Sequence, residues 1–130
     1  VRLRAAEGTA RAMLSGLPKN ARVQLCVDAK AASFGLRLRA TGEKNDGHEL
    51  RLAPAEGKLW VVGGQSLAGV QWLDKPILLD ILLKDNILDI CVNGQRTLVN
   101  WVPDLRGDRL ILFVEKGEAG FDGISVRPLR

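Results

Sequence analysis

Apolar and polar residues alternate along much of the chain with a period of two. The alternation is clean in residues 36–39 and 49–52, and partial in residues 23–28. Because successive side chains of a β-strand point to opposite faces, this period predicts strands with one buried face. Further runs predict strands at residues 58–62, 77–83, 87–92, 96–101, 110–114 and 123–129.

Turn signals separate these runs. Asn93-Gly94 is the strongest, because both central positions of a type I′ turn need φ > 0 and this dipeptide adopts it at least cost. It predicts a hairpin that joins the runs on either side. Residues 44–47 and 84–86 predict two more tight turns. Only residues 10–17 have a pattern compatible with a helix, which Gly16 and Pro18 would end.

Many short strands joined by polar turns predict an all-β fold, an antiparallel β-sandwich of the jelly-roll or concanavalin-like kind. We expect the two terminal segments to be strands that pair. The 130 residues, 46% of them apolar, fit one module over residues 1–130 with its own core. The chain lacks an initiator Met and a signal-peptide pattern, so we expect a module excised from a larger protein.

The charge pattern argues against two classes of partner. The formal net charge is +4, but the basic residues alternate with apolar ones and acids are interleaved, so we expect no nucleic-acid partner. No apolar run reaches the roughly 18 residues of a membrane helix, and we expect no membrane partner and a monomer. A basic balance would still suit an anionic polysaccharide, so neutral and anionic glycans both remain open.

The chain has little capacity for metal or covalent chemistry. Cys26 and Cys91 are far apart, and His48 is the single histidine, beside a predicted turn where we expect it to be solvated. This spacing is unlike a zinc site, and we expect no metal and no cofactor. The two cysteines either form one bridge or are small apolar packing residues, and packing is favoured.

Several segments resemble a known family. Residues 34–39 (FGLRLR), 48–52 (HELRL) and 81–94 (ILLKDNILDICVNG) are similar to the C-terminal β-sandwich of levanase and invertase type (family 32) glycoside hydrolases. The closing segments 113–119 and 121–129 are similar to the way those domains end. Related modules form the fructan-binding carbohydrate-binding family 66. The chain departs from the family at residues 84–86 and at Asp89, where the family typically has Asp-Arg-Ser and Glu, which leaves open a different ligand on a shared shape.

The resemblance implies a non-catalytic carbohydrate-binding module appended to a glycoside hydrolase. It would bind terminal sugar units of a fructan-like polysaccharide or oligosaccharide, with a covalently linked catalytic domain as its partner. An extracellular or periplasmic location follows from the same resemblance. The alternative is a structural domain that packs against a catalytic domain without binding a ligand, which predicts an exposed apolar patch.

A sugar site needs polar groups aimed at hydroxyls and often an aromatic face. Strand parity places Arg96 and Asn100 on one face after the Asn-Gly turn, and we expect Asp89 to join them from the other arm of the hairpin. Trp101 has the opposite parity and would join only through a bulge or a strand end. The candidate ligand-binding residues are Asp89, Arg96, Asn100, Trp101, Glu115, Glu49 and Arg51.

The remaining charged and aromatic residues have simpler interpretations. Arg37, Arg39, Arg51 and Lys58 either form cross-strand ion pairs on a solvated outer face or contribute to a sugar site, and the ion-paired face is favoured. Glu115 could complete an Arg–carboxylate pair, and Trp60 and Trp72 are either packing residues or stacking platforms, with packing favoured. Glycoside hydrolysis needs two placed carboxylates. The acids of the chain lie in no recognisable catalytic motif, so we expect no enzymatic activity; those considered are Glu49, Asp80, Asp89 and Glu115.

Overall fold

The computed structural model describes residues 1–41, 46–102 and 107–129. These ranges contain nine β-strands, one turn of 3-10 helix at Pro54–Glu56 and no α-helix. The predicted all-β class is therefore confirmed. The strands are β1 (Arg2–Ser15), β2 (Ala21–Ala40), β3 (His48–Ala53), β4 (Lys58–Val61), β5 (Ser66–Leu67), β6 (Ile77–Lys84), β7 (Ile87–Val92), β8 (Arg96–Trp101) and β9 (Arg109–Pro128).

Two long central strands organise the antiparallel β-sandwich. β2 pairs with β9 along almost its whole length, and β1 pairs with the other edge of β9. The first part of β2, residues 21–27, also pairs with β6, whereas residues 34–38 pair with β3. The strand order is β5-β4-β3-β2-β6-β7-β8. β2 thus joins two groups of shorter strands, β3–β5 on one side and β6–β8 on the other, and they enclose one core in a jelly-roll-like arrangement.

The core follows the predicted alternation. On β6, β7 and β8 every second residue is buried, and the intervening ones face outward. The second half of β2 differs, because every residue from 33 to 40 is buried. That part of the sheet is therefore covered on both faces.

No helix in the described part of the chain is long and apolar enough to cross a membrane.

Long strands replace several of the predicted short ones. Residues 10–17 do not form a helix, because Thr9–Ser15 pair with residues 109–115 of β9 and these ladder bonds override the local pattern. The predicted runs 110–114 and 123–129 are one strand, as are 23–28 and 36–39. Register shifts in the β2–β9 ladder, between Gln24 and Cys26 and between Arg37 and Ala40, accommodate the irregular positions as bulges.

The predicted hairpin between β7 and β8 is confirmed, with one more residue in its turn. Asn93 and Gly94 have φ of 53° and 66°, and the Gln95 N–H donates to the Val92 carbonyl at 3.0 Å. Val92 pairs with Arg96, so residues 93–95 all lie in the turn. The turn at Asp85 is also present, with φ of 50°. Of the predicted turn at 44–47, residues 44 and 45 lie outside the described residues.

The first strand pairs with the last one, β9, but with its residues 109–120; the end of β9, predicted as the terminal strand, pairs with the start of β2 instead. Arg2 is opposite Gly120, and the amino group of Val1 donates to the Phe121 carbonyl at 2.9 Å. Two other expectations are wrong. Cys26 is exposed on the outer face rather than packed, and it is not bonded to Cys91. His48 is buried, because it is the first residue of β3 and lies opposite Leu38.

Candidate functional site

A group of charged side chains gathers where β3, β2 and β9 run side by side. Arg37 lies opposite Glu49, Gly35 opposite Arg51, and Ser33 opposite Glu115. Residues that pair across a ladder share a face, so these side chains meet on one side of the sheet. The intervening residues of β2, Phe34, Leu36 and Leu38, pack into the core on the other side. We call Ser33, Arg37, Glu49, Arg51 and Glu115 the Arg51 cluster.

Arg51 holds the cluster together. Its Nε donates to Glu49 Oε2 at 2.9 Å, while Nη1 and Nη2 donate to the two carboxylate oxygens of Glu115 at 2.9 and 3.0 Å. Nη1 also donates to Ser33 Oγ at 2.9 Å, and that hydroxyl donates to Glu115 at 3.0 Å. Arg37 Nε reaches the other oxygen of Glu49 at 2.9 Å. Charge-assisted and bidentate bonds of this kind fix planar groups in position.

Phe113 of β9 supports the two guanidinium groups from below. The guanidinium carbons of Arg37 and Arg51 lie 5.2 and 4.9 Å from the centre of its ring. The ring is fully buried, so it stabilises the cations and is not itself a surface for a ligand. Gly35 lies between Arg51 and Phe113 in the ladder, and a Cβ there would overlap the Leu50 carbonyl oxygen. The glycine therefore permits the close approach of the strands under the cluster.

The cluster combines burial with charge balance. The Arg37 side chain is only 4% exposed, and exposure rises to 33% at Glu115. Burial would raise the pKa of Glu49, but hydrogen bonds from Arg51 and Arg37 outweigh it and hold this pKa below its ordinary value. The hydrogen bond from Arg51 lowers the pKa of Glu115. Burial opposes the charge of Arg51, yet its bonds to both carboxylates raise its pKa. Glu49, Glu115 and Arg51 are thus charged at neutral pH.

Acid should weaken the fold through these carboxylates. Since the pKa values of Glu49 and Glu115 are lowered on folding, the unfolded chain binds protons more readily, and stability present above the ordinary value of 4.5 is lost as pH falls below it. Urea unfolding from pH 7 to pH 3 should therefore show a Glu115→Gln variant losing about 1 kcal/mol less than the wild type. Glu118→Gln is the control, because the side chain of this acid is 43% exposed and its contact with Arg2 is long, at 3.6 Å. If the free energy of unfolding fell equally with pH in the wild type and in Glu115→Gln, the loss of stability in acid would not come from Glu115.

The same pKa directions bear on catalysis. A glycosidase acid needs a carboxyl group whose pKa is raised so that it carries a proton near neutral pH. Glu49 and Glu115 have lowered pKa values, and so does Asp80, which accepts two hydrogen bonds from Arg22 at 3.0 and 2.7 Å. None of these acids is set up as a proton donor.

Within the described ranges, no group of three His, Cys, Asp or Glu side chains could hold a metal ion.

A cavity of about 320 Å³ opens beside the cluster. The charged groups of the cluster line one part of it, and Asp46, Gly47 and Val62 line the rest. The Val62 N–H donates to the Glu49 carbonyl at 2.9 Å, which ties this rim to β3. The volume lies at the small end of the range for ligand sites, about 300–1,000 Å³.

Three predicted site residues meet here, and four do not. Glu49, Arg51 and Glu115 form the centre of the cluster, whereas the four candidates from β7 and β8 lie elsewhere. The expected grouping of Asp89 with Arg96 and Asn100 is wrong, because Asp89 pairs with Val99 and faces the opposite way. The cause is the third turn residue, Gln95: a shift of one residue in register moves every side chain to the other face.

The four residues from the hairpin have separate environments. Arg96 is exposed beside the turn, opposite Val92, and Trp101 shares the outer face with Asp89. Asn100 is 6% exposed, and its Oδ1 accepts a hydrogen bond from the Gln65 N–H at 2.7 Å. It therefore holds the turn between β4 and β5, which carries the rim of the cavity.

Sequence reasoning missed part of the cluster. Arg37 and Arg39 were expected on a solvated face, but both are buried. Arg39 Nη2 donates to the Lys19 carbonyl at 2.8 Å. The predicted cross-strand ion pairing does occur, between Arg37 and Glu49 and between Arg51 and Glu115. The sequence contained one signal for this hydrogen-bond network. Arginines alternate with leucines in residues 36–39, and a second alternating segment, residues 49–52, has Glu49 and Arg51 on one face.

Packing was favoured for Trp60 and Trp72, and both side chains are partly buried. Trp72 packs against the core. Trp60 is half-buried on the same face as Arg51, and Lys58 Nζ lies 4.5 Å from its ring centre.

Comparisons with known proteins give the fold but not a family. No protein-family model and no curated protein matches the sequence. The carbohydrate-binding module CBM66 from Bacillus subtilis has a TM-score of 0.74 at 11% identity, over 95% of this chain and 84% of that one. Toad ovary galectin in complex with thio-digalactose has a TM-score of 0.67 at 11% identity, over 91% and 98%.

An enzyme also contains this fold. Exo-inulinase from Aspergillus awamori has a TM-score of 0.64 at 14% identity, over 98% of this chain but only 29% of that one. The chain thus spans under a third of the enzyme's length. The predicted resemblance to the sandwich of family 66 modules and family 32 hydrolases is confirmed at the level of the fold.

Proposed function

We propose that the chain is a non-catalytic carbohydrate-binding module and that the Arg51 cluster binds the hydroxyl groups of a sugar. The observation that carries the proposal is a preorganised set of charged donors and acceptors that lines a cavity of about 320 Å³. The structural neighbours named for carbohydrate binding support it, since a module and a galectin–disaccharide complex share the fold.

The cluster has hydrogen-bonding capacity left for a ligand. A guanidinium has five N–H donors, and Arg51 makes four hydrogen bonds to described residues. A carboxylate has about four acceptor positions. Each oxygen of Glu49 accepts one hydrogen bond from the described residues, so acceptor positions remain next to the arginines. Neighbouring hydroxyls of a sugar each donate one bond and accept another, which suits this adjacent arrangement of donors and acceptors.

Charge balance favours a neutral sugar over an anionic glycan. Two guanidinium groups face two carboxylates that are charged at neutral pH. The carboxylates would repel an added anion, while the cations are already compensated. The chain as a whole is mildly basic, but the charges of the Arg51 cluster compensate each other. We propose a terminal unit of a fructan-like polysaccharide as the first ligand to test, on the strength of the sequence resemblance.

The module would act by tethering. Attached to a glycoside hydrolase outside the cytoplasm, it would hold the catalytic domain at its polysaccharide and raise the effective concentration of the substrate. Modest affinity at one site suffices for this mechanism. The exo-inulinase, in which the matching region is 29% of the chain, supports an appended arrangement.

A binding screen tests the proposal. Affinity gels that contain levan, inulin, a galactan or an anionic polysaccharide should show retardation of the module by a neutral polymer. The same screen should leave the module unretarded on the anionic polymer once salt screens nonspecific attraction. Retention by the anionic polymer alone would overturn the neutral-sugar assignment, and no retention by any polymer would overturn the binding function.

One observation favours a second candidate, a structural domain that packs on a catalytic partner. The outer face of β6, β7 and β8 carries exposed apolar side chains: Leu82, Ile87, Val99 and Trp101. A patch of this kind often marks a contact surface. Under this alternative, a Val99→Asp variant would weaken binding to the parent catalytic domain, and glycan gels would not retard the module.

A further inference from the structure

A second, smaller cavity lies beside the first. Its volume is about 100 Å³, and it is enclosed by the start of β3, the turn between β4 and β5, and the end of β8. Val62 lines both cavities, so they are neighbours on one rim. The Val61 N–H donates to the Gln65 carbonyl and the Gly64 N–H to the Val61 carbonyl, which closes the turn that separates them.

Trp101 forms the outer wall of this second cavity. Among the large apolar residues that the structure describes, Trp101 is the most exposed, at 77%. An indole combines a large apolar face with a polar N–H, and such side chains dominate the binding energy where they meet a ligand. The apolar face of a sugar ring could cover the indole. Trp101 therefore offers an aromatic surface next to the first cavity, whose lining among the described residues includes no aromatic side chain.

Asn100 supplies a polar group at the base of the cavity. Its Oδ1 is engaged by the Gln65 N–H, but its buried Nδ2 has no hydrogen-bond partner among the described residues. An unpaired buried donor costs free energy and calls for a water or a ligand to satisfy it. Gly64 covers this amide so closely that a Cβ would overlap Oδ1. The cavity thus joins an unsatisfied donor to an exposed aromatic ring.

We propose that this cavity is a second sugar subsite, which takes the unit next to the one held by the Arg51 cluster. The inference rests on the proposed function, because it extends the same ligand across Val62 into the neighbouring cavity. Trp101 would then contribute only when the ligand has at least two units. The module would accordingly distinguish oligosaccharides from single sugars.

Calorimetry with ligands of two lengths tests the subsite. The probes are fructose against a levan-derived trisaccharide, and galactose against lactose. We expect the wild type to bind the longer member of one pair at least tenfold more tightly, and Trp101→Ala to remove that difference while its affinity for the single sugar stays within twofold. Trp101→Phe should keep part of the gain. Val99→Ala is the matched control, because Val99 is exposed on the same strand and face but lines neither cavity.

A second measurement reports on Asn100 directly and needs no variant. The side-chain amide NMR signal of Asn100 should shift with the longer probe and not with the single sugar. Equal effects of Trp101→Ala on both ligand lengths, or none on either, would overturn the subsite and leave the proposed function standing. If the wild type bound none of the four probes and no polymer in the gels, both proposals would fall.

Discussion

Under the proposed function, we expect that replacement of Arg51 by alanine removes most of the sugar binding of the module. The dissociation constant for a retained glycan should rise roughly 100-fold, about 3 kcal/mol, because one guanidinium positions both carboxylates of the cluster. Without it, Glu49 and Glu115 face each other with no shared cation, and their oxygens lose the orientation that a sugar needs. Arg51→Lys should recover little of the affinity, because an ammonium cannot form the bidentate contact.

Stability must be measured beside affinity. Removal of one partner from a buried ion pair is costly, but Glu115 is a third exposed, so we expect about 2 kcal/mol of lost unfolding free energy for Arg51→Ala. Arg22→Ala is the matched control, since Arg22 makes a similar bidentate contact with Asp80 outside the cluster. It should leave glycan affinity unchanged. If Arg51→Ala stayed folded and bound as tightly as Arg22→Ala, the cluster would not be the binding site.

Replacement of Gly35 by alanine will destabilise the protein strongly. The added Cβ would overlap the Leu50 carbonyl oxygen of β3 and come within 3.2 Å of Phe113 Cζ. Backbone and a fully buried ring cannot give way cheaply, so β2 must separate from β3 where Gly35 pairs with Arg51. We expect a loss of about 3 kcal/mol in urea unfolding and, in the folded fraction, weaker glycan binding.

A second glycine provides the control for this substitution. At Gly120 of β9 the nearest atom to an added Cβ is Arg2 Nη1, at 3.1 Å. That side chain is exposed and flexible, so Gly120→Ala should cost less than about 1 kcal/mol. A Gly35→Ala protein as stable as Gly120→Ala would show that the strands tolerate a wider spacing under the cluster.

Local features of the fold could be predicted because their causes are local. Alternation on β6, β7 and β8 places each buried side chain by strand geometry alone. The Asn93-Gly94 turn follows from the backbone freedom of those two residues. The number of residues in that turn was not predictable in the same way. Its third residue, Gln95, shifts the register by one and separates Asp89 from Arg96 and Asn100.

The Arg51 cluster depended on contacts distant in sequence. Arg37 has the alternation of a solvated strand residue, and only the placement of β3 on one side and β9 on the other buries it against Glu49 and Phe113. Glu115 lies 64 residues from the Arg51 that it binds. Glu115 could be named as a candidate from its residue type and its strand. That Arg51 is its partner could not be predicted.

The sequence by itself determined an all-β chain, the β7–β8 hairpin and the pairing of Glu49 with Arg51 on one strand face, because each depends on residues within a few positions of one another. The tertiary structure decided which polar residues meet. β2 and β9 pair along their length and bring Ser33, Arg37 and Glu115 to Arg51. That pairing depends on the packing of a shared core, which no local pattern encodes.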